Sequence, residues 1–188
     1  EIIGEMNKYG MMVDCSHVGE KTTLDAIEAS SKPIAVTHAN AGSLMPHFRN
    51  KSDTVLKVLA ESGGIMGLAI YPNITPKDAC DSVDGWAEMM ARTVDIMGLE
   101  HVGVGTDAGH YVGTPELDWM RQGRWTRSEQ YGAGAKDRAL MPPPPKWLPD
   151  ISKMGLLPAA LERRGFSQEE IHLLTAGNWL RVYEANFG

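Results

Sequence analysis

The sequence is poor in cysteine and aromatic residues and has no long hydrophobic run. Its two cysteines, Cys15 and Cys80, are too few for a disulfide framework or a cysteine-rich metal site. Aromatic residues make up only 7% of its 188 residues. No apolar run reaches the roughly 20 residues of a membrane-spanning helix. We therefore expect a soluble protein, with a bacterial cytoplasm as the default compartment.

Positive charge is also scarce. Lysine and arginine total 18 against 24 aspartate and glutamate, which gives a formal net charge of −6, and no basic cluster occurs. Because nucleic acids are bound through basic patches, the charge balance argues against a nucleic-acid partner. The hydrophobic fraction of 43% is sufficient for one domain with a substantial core.

Short apolar runs alternate with amphipathic segments along the chain. The apolar spacing predicts strands at 11–17, 33–38, 65–70 and 101–106 and helices at 1–10, 22–31, 53–62, 82–97, 151–164 and 169–186. Such alternation is typical of a parallel sheet. Because four parallel strands alone would leave two edges bare, we expect an α/β fold that is half of an eight-stranded barrel.

We expect a single partial barrel domain over residues 1–188. Within it, residues 110–149 are rich in proline and glycine and contain three of the five tryptophans. A stretch of this length without periodicity predicts an insertion, for which a lid, an interface and a mobile segment remain open. Its tetraproline, 142–145, favours a stiff spacer. Residues 150–188 are expected to form closing helices.

Three predicted strands end at residues suited to metal chemistry. His17 follows the first, His38 the second and Asp107 the fourth. Since the carboxyl ends of parallel strands open on one face, these side chains should converge. Two imidazoles and a carboxylate suit zinc, with the carboxylate acting as ligand or proton acceptor. Alternatively, each histidine is a hydrogen-bonded loop residue, and Asp107 caps the segment that follows.

Six sequence blocks occur in order and span nearly the whole chain. They are Val13-Asp14-Cys15-Ser16-His17, Pro33 to His38, His47 to Asp53, Gly63 to Gly67, Gly103 to Asp107 and Gly177 to Val182. Together they resemble the renal or membrane dipeptidase family (peptidase family M19), zinc peptidases of the amidohydrolase-like barrel group. The resemblance places this chain in the C-terminal half of the family domain.

The resemblance implies a (β/α)8 barrel with a two-zinc centre that hydrolyses dipeptides. By position, His17 and His38 resemble the histidine ligands of the second zinc ion, and Arg49 the arginine that holds the C-terminal carboxylate of the substrate. Asp107 resembles the aspartate that contacts the substrate and handles protons. A planar guanidinium pairs bidentately with a carboxylate, which lysine cannot do. The alternative for Arg49 is a solvated loop charge.

The sequence departs from the family pattern after Asp107. The family continues with Phe-Asp-Gly, whereas this chain has Ala108, Gly109 and His110. A changed substrate, such as another amide, a lactam or a lactone, is therefore an alternative, and the role of His110 stays open.

The family's His-X-Asp pair, its bridging glutamate and a further substrate-binding histidine lie before the region that this chain resembles. Glu5 and Glu20 are no substitutes, because they fall in or beside predicted helices. The chain would then supply ligands mainly to one of two zinc ions. We therefore expect a missing N-terminal half as a partner, on the same or another chain. A homodimer and an inactive fragment remain open.

Overall fold

A three-stranded parallel sheet lies at the centre of the computed structural model, which describes residues 1–108 and 142–188. The strands are β1 (Ala35–Ala39), β2 (Ile65–Leu68) and β3 (Val102–Val104), in the order β1-β2-β3. All residues from 65 to 70 are buried, as expected for a strand that is covered on both faces. The protein therefore has the mixed α/β fold that the alternating pattern predicted.

Helices connect and cover these strands. They are α1 (Ile2–Lys8), α2 (Glu20–Ala29), α3 (Asp53–Glu61), α4 (Lys77–Asp81), α5 (Val83–Met97), α6 (Leu156–Arg164), α7 (Gln168–His172) and α8 (Asn178–Phe187). Serine side chains cap three of them: Ser52 accepts from the Val55 amide, Ser82 from the Gly85 amide, and Ser167 forms a capping box with Glu170. The predicted helix starts at 53, 82 and 169 are thus correct to within a residue.

Three predicted elements differ from the structure. In the helix predicted at 151–164, Ile151–Lys153 form a 3-10 turn and the α-helix begins only at Leu156. Residues 11–17 are not a regular strand, since only Asp14 forms a parallel bridge with Ala35. The Asp14 carboxylate, rather than a backbone carbonyl, accepts the Thr37 amide, and this interrupts the ladder. The predicted helix 169–186 is divided by a π turn at Leu173–Gly177.

The faces of the sheet contact different layers. Met66 of β2 and its neighbours pack into the main core together with residues of α3 and α5, among them Leu56, Leu59, Trp86 and Met90. On the opposite face Ala35 and Ile65 contact Val182 of α8. This alternation follows the two-residue period of a strand. None of the described helices combines the length and the apolar character needed to cross a bilayer.

The end of the predicted insertion packs against the helical layer. Leu148 is buried in the main core, and the Trp147 indole N–H donates to the Ala79 carbonyl of α4 across 3.0 Å. The part of the insertion from 110 to 141, including His110, lies outside the described residues. The boundaries of the insertion therefore remain a prediction.

Candidate active site

An irregularity in β1 positions His38. Val36 pairs with Met66 and Ala39 with Leu68, so three steps along β1 oppose two along β2. The extra residue lies at Thr37–His38, and such bulges redirect side chains near functional sites. The sequence pattern predicted a histidine at this strand end but gave no indication of the register shift.

His17 and His38 meet beyond the carboxyl end of the sheet. Their Nε2 atoms lie 2.8 Å apart, and their ring centroids are separated by 4.9 Å. His17 is exposed and His38 is half-buried. The structure thus brings together the two histidines that the sequence analysis selected as ligands.

Arg49 lies against the same pair. Its Nη1 donates to the Ser16 carbonyl, and its Nη2 lies 3.1 Å from His17 Nε2. A guanidinium only donates hydrogen bonds, so His17 Nε2 is the acceptor in this contact and carries a lone pair. Arg49 is therefore a half-buried cation held beside the histidines, and not a solvated loop charge.

Buried neighbours hold the Arg49 loop in place. Asn50 is 4% exposed, and its amide group donates to the carbonyls of Met45 and Ile74 while accepting from the Asn40 amide. Lys51 is 2% exposed and donates to the Val18 carbonyl across 2.6 Å. These bonds connect the loop both to the core and to the segment that carries His17.

Burial and the neighbouring charges favour the neutral form of His17. Burial, the positive charge of Arg49 and the neighbouring His38 lower the pKa of His17, against the opposing influence of Asp107 and Asp14. Burial also lowers the pKa of Arg49, again opposed by Asp107 and Asp14. A neutral imidazole is the form that binds metal ions. The local charges therefore favour the ligand form of His17.

Asp107 lies at the rim of the site. It is exposed and has a positive φ of 57°, an uncommon conformation for a residue other than glycine. Its charge acts on both His17 and Arg49. Within residues 1–108 and 142–188, however, no three His, Cys, Asp or Glu side chains are grouped as metal ligands. Asp107 is thus near the histidine pair without completing a three-ligand set.

The sequence analysis gave no role to three polar residues beneath the histidines. The Asp14 carboxylate accepts hydrogen bonds from Ser16 and Thr37, and the Thr37 hydroxyl lies 2.9 Å from His38 Nδ1. Asp14 and Ser16 are two positions apart in the run that the sequence analysis predicted as a strand, and in a strand this spacing would place them on one side. This two-residue spacing was the signal in the sequence that could have indicated the polar network.

A parallel sheet with paired imidazoles beyond its strand ends is typical of metal-dependent α/β hydrolases. The profile of the membrane dipeptidases (peptidase family M19) matches residues 1–119. The chain therefore belongs to the membrane dipeptidase family, which confirms the assignment made from the six sequence blocks.

Two of the curated relatives are fungal dipeptidases. The chain is 32% identical over 187 residues to an uncharacterized dipeptidase of Schizosaccharomyces pombe and 31% identical over 183 residues to a dipeptidase of Claviceps purpurea. The matches cover 98% and 97% of this chain but only 38% and 36% of those proteins. The chain thus spans little more than a third of their length.

Solved structures share the fold. An amidohydrolase from Pseudomonas aeruginosa superposes with a TM-score of 0.83 at 30% identity, covering 100% of this chain and 56% of that one. A metallopeptidase from Rhodobacter sphaeroides, solved with a phosphinate mimic of the dipeptide L-Ala-D-Ala, superposes with a TM-score of 0.75 at 24% identity, covering 98% and 45%. The family match and the relatives at 30% identity or more class the chain with the hydrolases by resemblance.

Proposed function

We propose that this chain forms part of a zinc-dependent dipeptidase in which His17 and His38 bind one zinc ion. The observation that carries the proposal is the 2.8 Å approach of their Nε2 atoms beside Arg49. Membership of a metallopeptidase family supports the use of a metal. When bound, zinc would lower the pKa of a water molecule and polarise the carbonyl of the scissile bond.

The donor set fits such an ion. His17 Nε2 accepts a hydrogen bond from the Arg49 guanidinium, so it offers a lone pair rather than an N–H. Neutral imidazole nitrogens are good ligands for zinc. Two nitrogens do not complete a zinc site, and the described residues add no third grouped ligand. We infer that the remaining ligands, and a second zinc site, come from the part of the family domain that this chain does not span.

Arg49 would bind the C-terminal carboxylate of the dipeptide. Its guanidinium is held by the Ser16 carbonyl beside His17, so a substrate carboxylate bound there would place a nearby peptide bond close to the histidine pair. A fixed distance between the carboxylate and the reacting carbonyl favours short peptides. The same geometry therefore explains both binding and selection by length.

Asp107 would accept a proton from the attacking water and pass it to the leaving amine. Its carboxylate is exposed and acts electrostatically on His17 and Arg49, which supports a role beside the pair. An exposed carboxylate that does not belong to a ligand group is free to carry a proton. Asp107 is thus proposed as the general base and acid.

The parallel order of β1, β2 and β3, with the Asp14 bridge beside β1, supports a larger barrel. The four segments follow one another in space as they do in sequence, and each ends on the side of the sheet where the candidate site lies. We propose that they form half of a (β/α)8 barrel over 1–188, with 110–149 as an insertion and 150–188 as closing helices.

Zinc content tests the metal assignment. The purified protein is expected to contain about two zinc ions when the rest of the domain is present, and less zinc in His17→Ala and His38→Ala. His172→Ala removes an exposed histidine of α7 and serves as the matched control, with zinc content unchanged. Equal zinc content in all three variants would exclude the histidine pair as ligands.

Substrate pairs test the role of Arg49. A dipeptide with a free carboxylate should be hydrolysed far better than the same dipeptide with a C-terminal amide, and Arg49→Ala should remove this preference by raising KM for the free acid. Arg49→Lys keeps the positive charge but lacks the planar guanidinium that pairs bidentately with a carboxylate. It should therefore restore little of the preference for the free acid. Lactams and lactones belong in the same panel. Their preferential hydrolysis would exclude a dipeptidase.

A further inference from the structure

The Asp14 carboxylate is the centre of the polar network beneath the histidine pair. One oxygen, Oδ1, accepts from the Ser16 amide at 3.0 Å, the Ser16 hydroxyl at 2.6 Å and the Thr37 amide at 3.0 Å. The other, Oδ2, accepts from the Thr37 hydroxyl at 2.8 Å. Burial raises the pKa of Asp14, but these four hydrogen bonds outweigh it and hold the pKa below its ordinary value. Asp14 is therefore a fixed acceptor.

The Thr37 hydroxyl has one hydrogen and three polar neighbours. Asp14 Oδ2 lies at 2.8 Å, His38 Nδ1 at 2.9 Å and Ser16 Oγ at 3.0 Å. A carboxylate only accepts, and hydrogen bonds to it are stronger than those to neutral groups. The hydrogen therefore points to Asp14. The Thr37 oxygen is then left as an acceptor towards His38.

The tautomer of His38 follows from this assignment. Since Thr37 Oγ1 can only accept at that point, His38 Nδ1 must carry the proton, and in the neutral ring Nε2 must carry the lone pair. The backbone of His38 is fixed by the same network, because its amide donates to Ser16 Oγ at 3.1 Å. The Nε2 lone pairs of His38 and His17 then face each other across 2.8 Å, which is not a hydrogen bond but an arrangement that a shared cation would stabilise.

We propose that Asp14 is a positioning residue that acts through Thr37 to hold His38 as the Nδ1–H tautomer, with its Nε2 lone pair facing His17. Only the consequence of this positioning, a higher affinity for zinc, rests on the proposed function. Polar groups behind a ligating histidine set its orientation and its proton position, and their loss typically costs about 10- to 100-fold in metal affinity. Asp14 would contribute in this way without touching metal or substrate.

Nitrogen-15 NMR of histidine-labelled, metal-free protein tests the tautomer directly. At alkaline pH, where imidazole is neutral, His38 should carry its proton on Nδ1 in the wild type and in Thr37→Ser. In Thr37→Val and Asp14→Asn the Nε2–H form should gain population. Thr175→Val removes a hydroxyl that bonds to the Ile171 carbonyl far along the chain, and should leave His38 unchanged.

Zinc affinity, measured by competition with a chelating dye, gives the second readout. We expect a loss of about 10- to 100-fold in Asp14→Asn and Thr37→Val, and affinities near wild type in Thr37→Ser and Thr175→Val. A zinc affinity near wild type in Thr37→Ser would show that Thr37→Val loses affinity because it lacks the hydroxyl, and not because the packing changes. If Asp14→Asn does not fold, the two Thr37 variants still test the same hydrogen-bond chain.

The outcomes distinguish this inference from the proposed function. A wild-type His38 protonated on Nε2 would overturn the positioning role, as would a tautomer unaffected by Thr37→Val and Asp14→Asn. A tautomer that responds as expected in a protein that binds no zinc even with the rest of the family domain present would support the positioning role and overturn the metal function.

Discussion

The ammonium group of Lys51 donates a 2.6 Å hydrogen bond to the backbone carbonyl of Val18, the residue that follows His17. Lys51 is only 2% exposed, which is rare for a lysine. The bond connects the loop that carries Arg49 to the segment that carries His17. Two residues of the candidate site, far apart in sequence, are thus held together by one buried cation.

Lys51→Met should change how stability depends on alkaline pH. Burial, helped by the charge of Arg49, holds the pKa of Lys51 below its ordinary value. The unfolded chain therefore binds this proton more tightly, and wild-type stability relative to Lys51→Met should rise as pH approaches about 10.4. Urea unfolding across this range measures the difference. A difference in stability between wild type and Lys51→Met that does not change with pH would contradict this prediction. The same pH trend in Lys57→Met, which removes an exposed lysine, would also contradict it.

Asn178→Ala should destabilise the fold without entering the site. Asn178 is 1% exposed and donates 2.8 Å hydrogen bonds to the carbonyls of Leu99 and Val102, next to the start of β3. Because the variant removes one hydrogen bond to a buried carbonyl and one to a partly buried carbonyl, the free energy of unfolding should fall by about 1–3 kcal/mol. Asn73→Ala, which loses a bond to the Tyr71 hydroxyl, is the control and should change it much less.

Gly105→Ala should be costly because strands approach closely at this position. A Cβ at Gly105 would clash with the Thr37 carbonyl oxygen and with the backbone of Gly67. The expected loss of unfolding free energy is about 1–3 kcal/mol. At Gly155, with φ −60°, a Cβ meets nothing within 4 Å, so Gly155→Ala should stay within about 0.5 kcal/mol of wild type. Equal losses of unfolding free energy in Gly105→Ala and Gly155→Ala would contradict the close packing at Gly105.

Glu170→Gln should reduce the loss of stability in acid. Hydrogen bonds from the Ser167 amide and hydroxyl lower the pKa of Glu170. The unfolded chain then binds this proton more tightly, so the contribution is present above the ordinary glutamate pKa of about 4.3 and disappears as pH falls below it. Thermal unfolding between about pH 6 and pH 3 checks this. Glu169→Gln removes a neighbouring exposed charge, and a matching change there would exclude the capping box as the cause.

Local sequence signals predicted much of the fold. The apolar run 65–70 became a strand buried on both faces, and serines at 52, 82 and 167 begin helices because a hydroxyl can accept an otherwise unpaired backbone amide. The six motif blocks identified the family because a family motif depends on residue types and their order along the chain. It does not depend on which residues contact one another in space. Cysteine content and charge argued against a disulfide framework and a nucleic-acid partner, and these expectations stay predictions.

The tertiary structure decided what depends on residues far apart in sequence. The bulge at Thr37–His38, the Asp14 carboxylate that replaces a backbone acceptor, and the burial of Lys51 beside Val18 all arise where separate segments meet. Periodicity reports only which face a residue prefers, and it carries no information on register or on side-chain partners. The sequence by itself therefore determined the fold class, the family and the pair His17 and His38 as candidates, whereas tertiary packing decided their 2.8 Å approach and orientation.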